Sequence, residues 1–249
     1  MELSFKHNLK VPFLTWNIYQ GFDVLPLFNP SLKPMQLPQV VTELFRQFLA
    51  TNFPVRAKAI AKAIASEKPI FISLQEAVRV NLIMPISETV TRTVTYDFIE
   101  ILLEALEERG LKYEVAALNK NAEAEFPDSN GNSIQFLERD AILIRKDHKL
   151  NVIRKQESNF QTNLTAPIAG QSFTILRGWS FIDVKLDGQV FRMINTRLEP
   201  SDEDIRNAQA LEIIQGPATT SLPVVITGDL NAPPNSSTYH LFITTGFKD

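Results

Sequence analysis

Residues 222–234, L-P-V-V-I-T-G-D-L-N-A-P-P, constrain this chain more than any other stretch. Val224, Val225 and Ile226 form a short β-branched apolar run, the pattern of a buried strand. The run ends at Gly228, and Asp229 and Asn231 follow on its exit. With one residue between them in extended backbone, both side chains point to the same side. A carboxylate and an amide aimed together from a strand end suit a hydrated hard cation or a phosphate oxygen. The plainer alternative is an ordinary strand followed by an Asp-X-Asn turn. Pro233 and Pro234 stiffen the exit and stop the ladder.

Other strands deliver polar groups in the same way. Residues 11–18 (V-P-F-L-T-W-N-I) pattern as a strand with Asn17 near its end, and 70–74 (I-F-I-S-L) as a short buried strand from which Gln75 and Glu76 emerge. Residues 179–186 and 189–195 form a hairpin across Asp187-Gly188, and its second strand runs out into Asn195-Thr196-Arg197. Between these strands the periodicity predicts helices over 39–50, 54–66, 96–109, 201–214 and 236–245. The fourth of these starts at a capping box formed by Ser201 and Asp204. Residues 111–118 read as a strand, 119–132 as a polar surface loop, and 139–145 with 150–155 as a hairpin. Residues 78–95 pattern as strand or loop, and 157–177 as an irregular segment suited to a lid or substrate loop, with an apolar part at 164–175 able to face lipid or base.

Many short strands mixed with helices, without a long linker or internal repeat, imply one α/β (α+β) domain over residues 1–249, its sheets covered by helices. With no cysteine among the 249 residues, disulfides, a thiol nucleophile and a thiolate zinc site are excluded. A net charge of −3 argues against a broadly basic nucleic-acid coat while leaving room for a local basic patch. No apolar run approaches the ~20 residues that span a bilayer, and residues 1–12 lack the apolar core of a signal peptide. The polar strand ends at Asn17, Glu76, Asn195–Glu199 and Asp229/Asn231 together define a cleft with few carboxylates, an arrangement suited to Mg²⁺.

The order of motifs then resembles the endonuclease/exonuclease/phosphatase (DNase I-like) superfamily. T-W-N-I at 15–18, S-L-Q-E at 73–76, R-D-A-I-L at 139–143, N-T-R-L-E at 195–199 and G-D-L-N-A at 228–232 carry the likeness across essentially the whole chain. The resemblance implies a four-layer sandwich of two mixed β-sheets flanked by helices, and metal-dependent hydrolysis of a phosphate ester, usually a phosphodiester. By matching positions it implies that Glu76 holds Mg²⁺ (or Mn²⁺) with Asn17 beside it. Asp229 would orient or deprotonate the attacking water, and Asn231 would hold a phosphate oxygen. Asp140 and Arg139 would support the substrate phosphate, and Asn195 would stand at the substrate-binding strand end. The substrate is left open among nucleic acid, a lipid head group and a small molecule.

Two departures from the family pattern stand out. Arg197 occupies a position where many members carry His; an arginine offers paired donors to phosphate but exchanges no proton near neutral pH. The resemblance also calls for a further strand pair ending in Ser-Asp-His after Asp249, so the chain as given is expected to be C-terminally incomplete. His7, His148 and His240 sit before the first strand, in a turn and in the last helix, where surface or packing roles are expected. Both departures support an alternative, a catalytically impaired member that binds a phosphate-bearing ligand or a protein partner.

Overall fold

The computed structural model describes residues 2–4 and 10–249; His7 lies outside them. The first sheet contains β1 (Glu2–Ser4), β2 (Lys10–Asn17), β3 (Phe71–Gln75), β4 (Arg79–Pro85), β5 (Thr91–Asp97), β6 (Tyr113–Pro127) and β7 (Ser133–Arg145). The second runs β13-β12-β11-β8 and contains β8 (Leu150–Asn159), β11 (Gly178–Leu186), β12 (Gln189–Arg197) and β13 (Val224–Asp229), with β12 and β13 parallel. A separate hairpin joins β9 (Leu164–Ile168) to β10 (Gln171–Ile175).

Helices α1 (Leu37–Ala50), α2 (Phe53–Glu67) and α3 (Phe98–Glu107) cover the outer face of the first sheet. Helices α4 (Glu203–Gln215) and α5 (Ser237–Thr244) cover the second. Each layer boundary has its own apolar core. Phe53 stacks on Phe98 under the first helices, with ring centroids 3.5 Å apart. Phe13, Phe71 and Phe191 meet between the sheets at 5.2–5.9 Å. Trp179, Phe181, Ile213 and Phe242 close the far side. Three cores between four layers give the expected sandwich. No helix among the described residues is long and apolar enough to cross a membrane.

Strand β7 organises the first sheet. Its first half pairs with β4 and its second half with β3, so β3 and β4 lie end to end along one edge while β6 follows the other. Residues 138–140 fall at the junction, where the chain leaves β3 and turns into β4. Polar residues therefore enter the interior at this point, and the functional groups gather there.

The structure corrects several sequence expectations. Residues 119–127 continue β6 because 133–140 supply the ladder bonds; Asn119 and Asn121 are buried, and a register shift between Lys120 and Glu123 switches the face so that Glu123 and Glu125 point out. Asp128 accepts from the backbone N–H groups of Asn130 and Asn132 to close the turn. The expected hairpin over 139–155 is a crossing between sheets: β7 belongs to the first and β8 to the second. A short turn serves either connection, and inter-sheet packing decided between them. Asp202, not Ser201, caps α4, accepting from the N–H of Ile205 at 3.0 Å.

Gly228 is required where β13 meets β12. Its φ is +147°, and a side chain there would run into the carbonyl of Thr196 across the parallel ladder. Gly228→Ala is expected to destabilise the protein by about 1–3 kcal/mol through backbone strain, measured as a lower urea midpoint at unchanged slope. An unchanged midpoint would show that the two strands do not approach this closely.

Candidate active site

The chain leaves β3 through an unusual backbone turn. Glu76 adopts φ +56°, a left-handed conformation that costs a non-glycine residue roughly 1–2 kcal/mol. The turn is held by Ala77 N–H donating to the Arg139 carbonyl at 2.9 Å and by Glu76 N–H facing the Asp140 carboxylate at 3.3 Å. The strain aims the Glu76 carboxylate at the end of β2. There Oε1 accepts from Asn17 Nδ2 at 2.9 Å and Oε2 from the Gln20 N–H at 2.7 Å. Arg56 on α2 fixes the segment after Asn17 by donating to the carbonyls of Ile18 and Tyr19.

Asn17 joins the two sheets. Its amide also donates to Asp229 Oδ2 at 2.8 Å, so carboxylates from β3 and β13 converge on one side chain. The spacing of Asp229 and Asn231 does not survive as extended backbone. Asn231 sits at φ +47°, its N–H returns to Asp229 Oδ1 at 3.2 Å, and its amide donates to the Leu198 carbonyl at 2.8 Å. The Asp-X-Asn turn is therefore present, and it holds Asp229 at the mouth of the cleft.

Arg197 enters between these carboxylates from the end of β12. Its Nη2 lies 2.8 Å from Glu76 Oε1, its Nη1 donates to Glu138, and its Nε stands 3.8 Å from Asp229 Oδ2 without a hydrogen-bond partner. Burial works against the guanidinium's charge, but Glu138, Glu76, Asp140 and Asp229 outweigh it and hold its pKa above the usual arginine range.

Glu138 was not singled out in the sequence. It also accepts from Arg177 Nη1 at 2.6 Å, and Arg177 Nε lies 3.8 Å from Glu199. A signal for it existed: in L-E-R-D, Glu138 and Asp140 are two apart in a strand, on one side of the sheet. Asp140 lies behind the cluster, accepting from Asn121 at 2.7 Å as well as from Glu76 N–H. Burial, reinforced by the charge of Glu138, pushes its carboxyl up to about 7. Asp140 thus supports the Glu76 turn and does not reach the open cleft, being 1% exposed.

Two expected site residues are committed elsewhere. The Arg139 guanidinium pairs with Asp97 at 2.6 and 2.9 Å and donates to the carbonyls of Ala77 and Val78. Four of its five donors are used, so no fork remains for a phosphate. Asn195 is fully buried and ties the sheets together: its amide donates to the carbonyls of Leu74 and Ala141, and its oxygen accepts from Gln75. Nor do the described histidines approach the cluster. His148 pairs with Asp147 in the turn before β8, and His240 stands beside Tyr239 on α5.

Residues 14–249 match the model of the Endonuclease/Exonuclease/phosphatase family. No curated protein matches the chain. Among solved structures, it is similar to an endonuclease/exonuclease/phosphatase family protein from Leptotrichia buccalis C-1013-b at 16% identity and TM-score 0.57, covering 96% of this chain and 74% of that one. A mannosyl-6-phosphatase from Bacteroides thetaiotaomicron VPI-5482 is similar at 15% identity and TM-score 0.54, with 95% and 71% covered. The human Nocturnin catalytic domain with bound sulfate anion is similar at 15% identity and TM-score 0.53, with 95% and 69% covered. Enzymes of the matching family generally use divalent metal ions. With that match over nearly its whole length and a four-layer sandwich bringing carboxylates of both sheets together, the chain belongs to the endonuclease/exonuclease/phosphatase family.

Proposed function

We propose that this chain hydrolyses phosphate esters, phosphodiesters in particular, with Mg²⁺ or Mn²⁺ as cofactor. The observation that carries this reading is the convergence of Glu76, Asp229 and Arg197 around Asn17 at the ends of four strands. Asp229 is the most open carboxylate of the cluster, its side chain 27% exposed against 8% for Glu76, 3% for Glu138 and 1% for Glu199. Those four carboxylates face the two guanidinium groups of Arg177 and Arg197, a net of about −2. Such a site tolerates the single charge of a diester better than the double charge of a monoester.

The same excess of oxygen donors fits a hard divalent cation in kind. Among the described residues no group of three His, Cys, Asp or Glu side chains is arranged to hold a metal. Glu76 and Asn17 would therefore share the ion with water and substrate oxygens, as Mg²⁺ commonly requires. Such an ion would supply charge neutralisation at a phosphoryl oxygen.

The chain's own groups do the rest. Asp229 has lone pairs left after its bonds to Asn17 and to Asn231 N–H, and it takes the proton of a water attacking phosphorus. The unpartnered Nε of Arg197 donates to a non-bridging oxygen, where negative charge grows. Asn17 fixes the spacing between Glu76 and Asp229, so both carboxylates are in place before substrate arrives. Asn231 acts through its backbone N–H, which orients the Asp229 carboxylate. Arg197 lying directly on Glu76 also favours a second reading, in which the chain binds a phosphate-bearing ligand without turning it over.

Asp229→Asn is expected to lower hydrolysis of bis(p-nitrophenyl) phosphate by at least about 10²-fold, with the melting temperature held within a few degrees. Loss of the fold instead would make Asp229 a structural turn residue. If the unaltered protein binds a diphenyl phosphate but never cleaves it with Mg²⁺ or Mn²⁺, the second reading holds.

Arg197 and a divalent ion compete for Glu76 Oε1. Two unit charges ~4 Å apart repel by roughly 4 kcal/mol at an effective dielectric near 20. Mn²⁺ binding measured by calorimetry is therefore expected to be weak in the native chain, at least tenfold tighter in Arg197→Met and lost in Glu76→Gln. Mn²⁺ should also raise the melting temperature of Arg197→Met more than that of the native protein. Equal binding in all three proteins would place the ion elsewhere.

A further inference from the structure

An apolar cavity of about 430 Å³ opens directly beside the ionic cluster. Phe22, Leu27 and Phe45 line it from the segment after β2 and from α1, Phe126 and Phe136 from β6 and β7, and Phe173 from β10. The β9–β10 hairpin forms the outer wall. Along β9, Leu164, Ala166 and Ile168 face the cavity while Thr165 and Pro167 are exposed. Phe126 and Phe173 bring the hairpin against β6 at a ring separation of 5.4 Å. Thus the apolar segment 164–175 is a structured wall, not an irregular loop.

One end of this cavity is ionic. Glu138, Arg177, Arg197 and Glu199 line it; Arg177 Nε lies 3.8 Å from Glu199 Oε2, and neither atom has a hydrogen-bond partner. Arg197 thus faces Asp229 on the reaction side and the cavity on the other. A void of this size between aromatic side chains forfeits the packing that protein interiors otherwise achieve. Its volume falls within the roughly 300–1,000 Å³ of small-molecule sites. Apolar walls ending in charged side chains are complementary to an amphiphile.

We propose that the substrate is a phosphodiester of an aliphatic alcohol, its phosphate at Arg197 and Asp229 and its hydrocarbon chain in this cavity. The inference rests on the phosphodiesterase reading above and adds the class of alcohol. A hydrocarbon chain is favoured over a nucleobase because the far wall presents side chains that exclude water but few groups to pair with base edges. The same chemistry occurs in membrane lipids and in soluble alkyl phosphate esters.

The test compares p-nitrophenyl methyl, butyl and octyl phosphates. About 0.8 kcal/mol per buried methylene predicts a rise in kcat/KM of roughly fourfold per carbon over the first few carbons. Ala124 lines the cavity, and Ala124→Trp, which fills it, should flatten that dependence. Calorimetry of dimethylphosphinate and methyl(octyl)phosphinate, which have no P–O–C bond to hydrolyse, measures the cavity separately from catalysis. Chain-length-dependent binding without any turnover would sink the phosphodiesterase reading and leave the ligand class standing. Turnover indifferent to chain length, or a thymidine ester preferred to the octyl one, would overturn the present inference and leave the phosphodiesterase reading intact. Dihexanoyl-phosphatidylcholine monomers compared with dioleoyl vesicles then separate the two sources: cleavage of the vesicles assigns a membrane lipid, and cleavage of the monomers alone a soluble ester.

Discussion

A guanidinium buried among carboxylates from two different sheets is the interaction on which the functional end of this molecule depends. Arg197 comes from the second sheet; Glu76 and Glu138 come from the first, and Asp229 from the strand beside its own. Charges this deeply buried are tolerated only when paired, and removing one partner of such a set typically costs ~3–5 kcal/mol. The cluster therefore holds the two sheets in one relative position at their polar end, where Phe13, Phe71 and Phe191 no longer fill the gap between them. Asn17, Asn195 and the Ser73–Thr227 hydroxyl pair at 2.6 Å complete this polar seam.

The seam exists because of how β7 is used. Its junction at 138–140 lies where β3 stops, and the chain must cross from one pairing partner to the next. Crossing costs backbone strain at Glu76, which the hydrogen bonds from Ala77 and to Asp140 hold in place. A strained carboxylate that points away from its own strand is a group already positioned for binding or chemistry. The buried pair of Arg139 with Asp97 braces the opposite side of the same junction.

The cluster and the cavity share residues, so they act as one site with two characters. Family relatives at 15–16% identity keep the sandwich, while the walls beside the strand ends are free to differ. Here those walls are aromatic and aliphatic, contributed by α1, the extended β6–β7 arm and the β9–β10 hairpin.

Much of this was legible in the residues themselves. Short β-branched runs, Gly-containing turns and amphipathic helices act locally, and they located β2, β3, the β11–β12 hairpin and the helices. Polar residues at strand exits marked Asn17, Glu76, Arg197 and Asp229, because an apolar run that ends in a carboxylate or amide is visible one residue at a time. What the tertiary structure decided was pairing. Whether 139–155 folds back or crosses between sheets, and whether 119–127 is loop or strand, depends on partners distant in sequence. The same holds for individual donors: Arg139 and Arg197 look alike in the chain, yet one is consumed by Asp97 and two carbonyls while the other keeps a buried Nε with no hydrogen bond, 3.8 Å from Asp229. A side chain's chemistry is written in its residue type, but the donors and acceptors it has left over are set only when the sheets close around it.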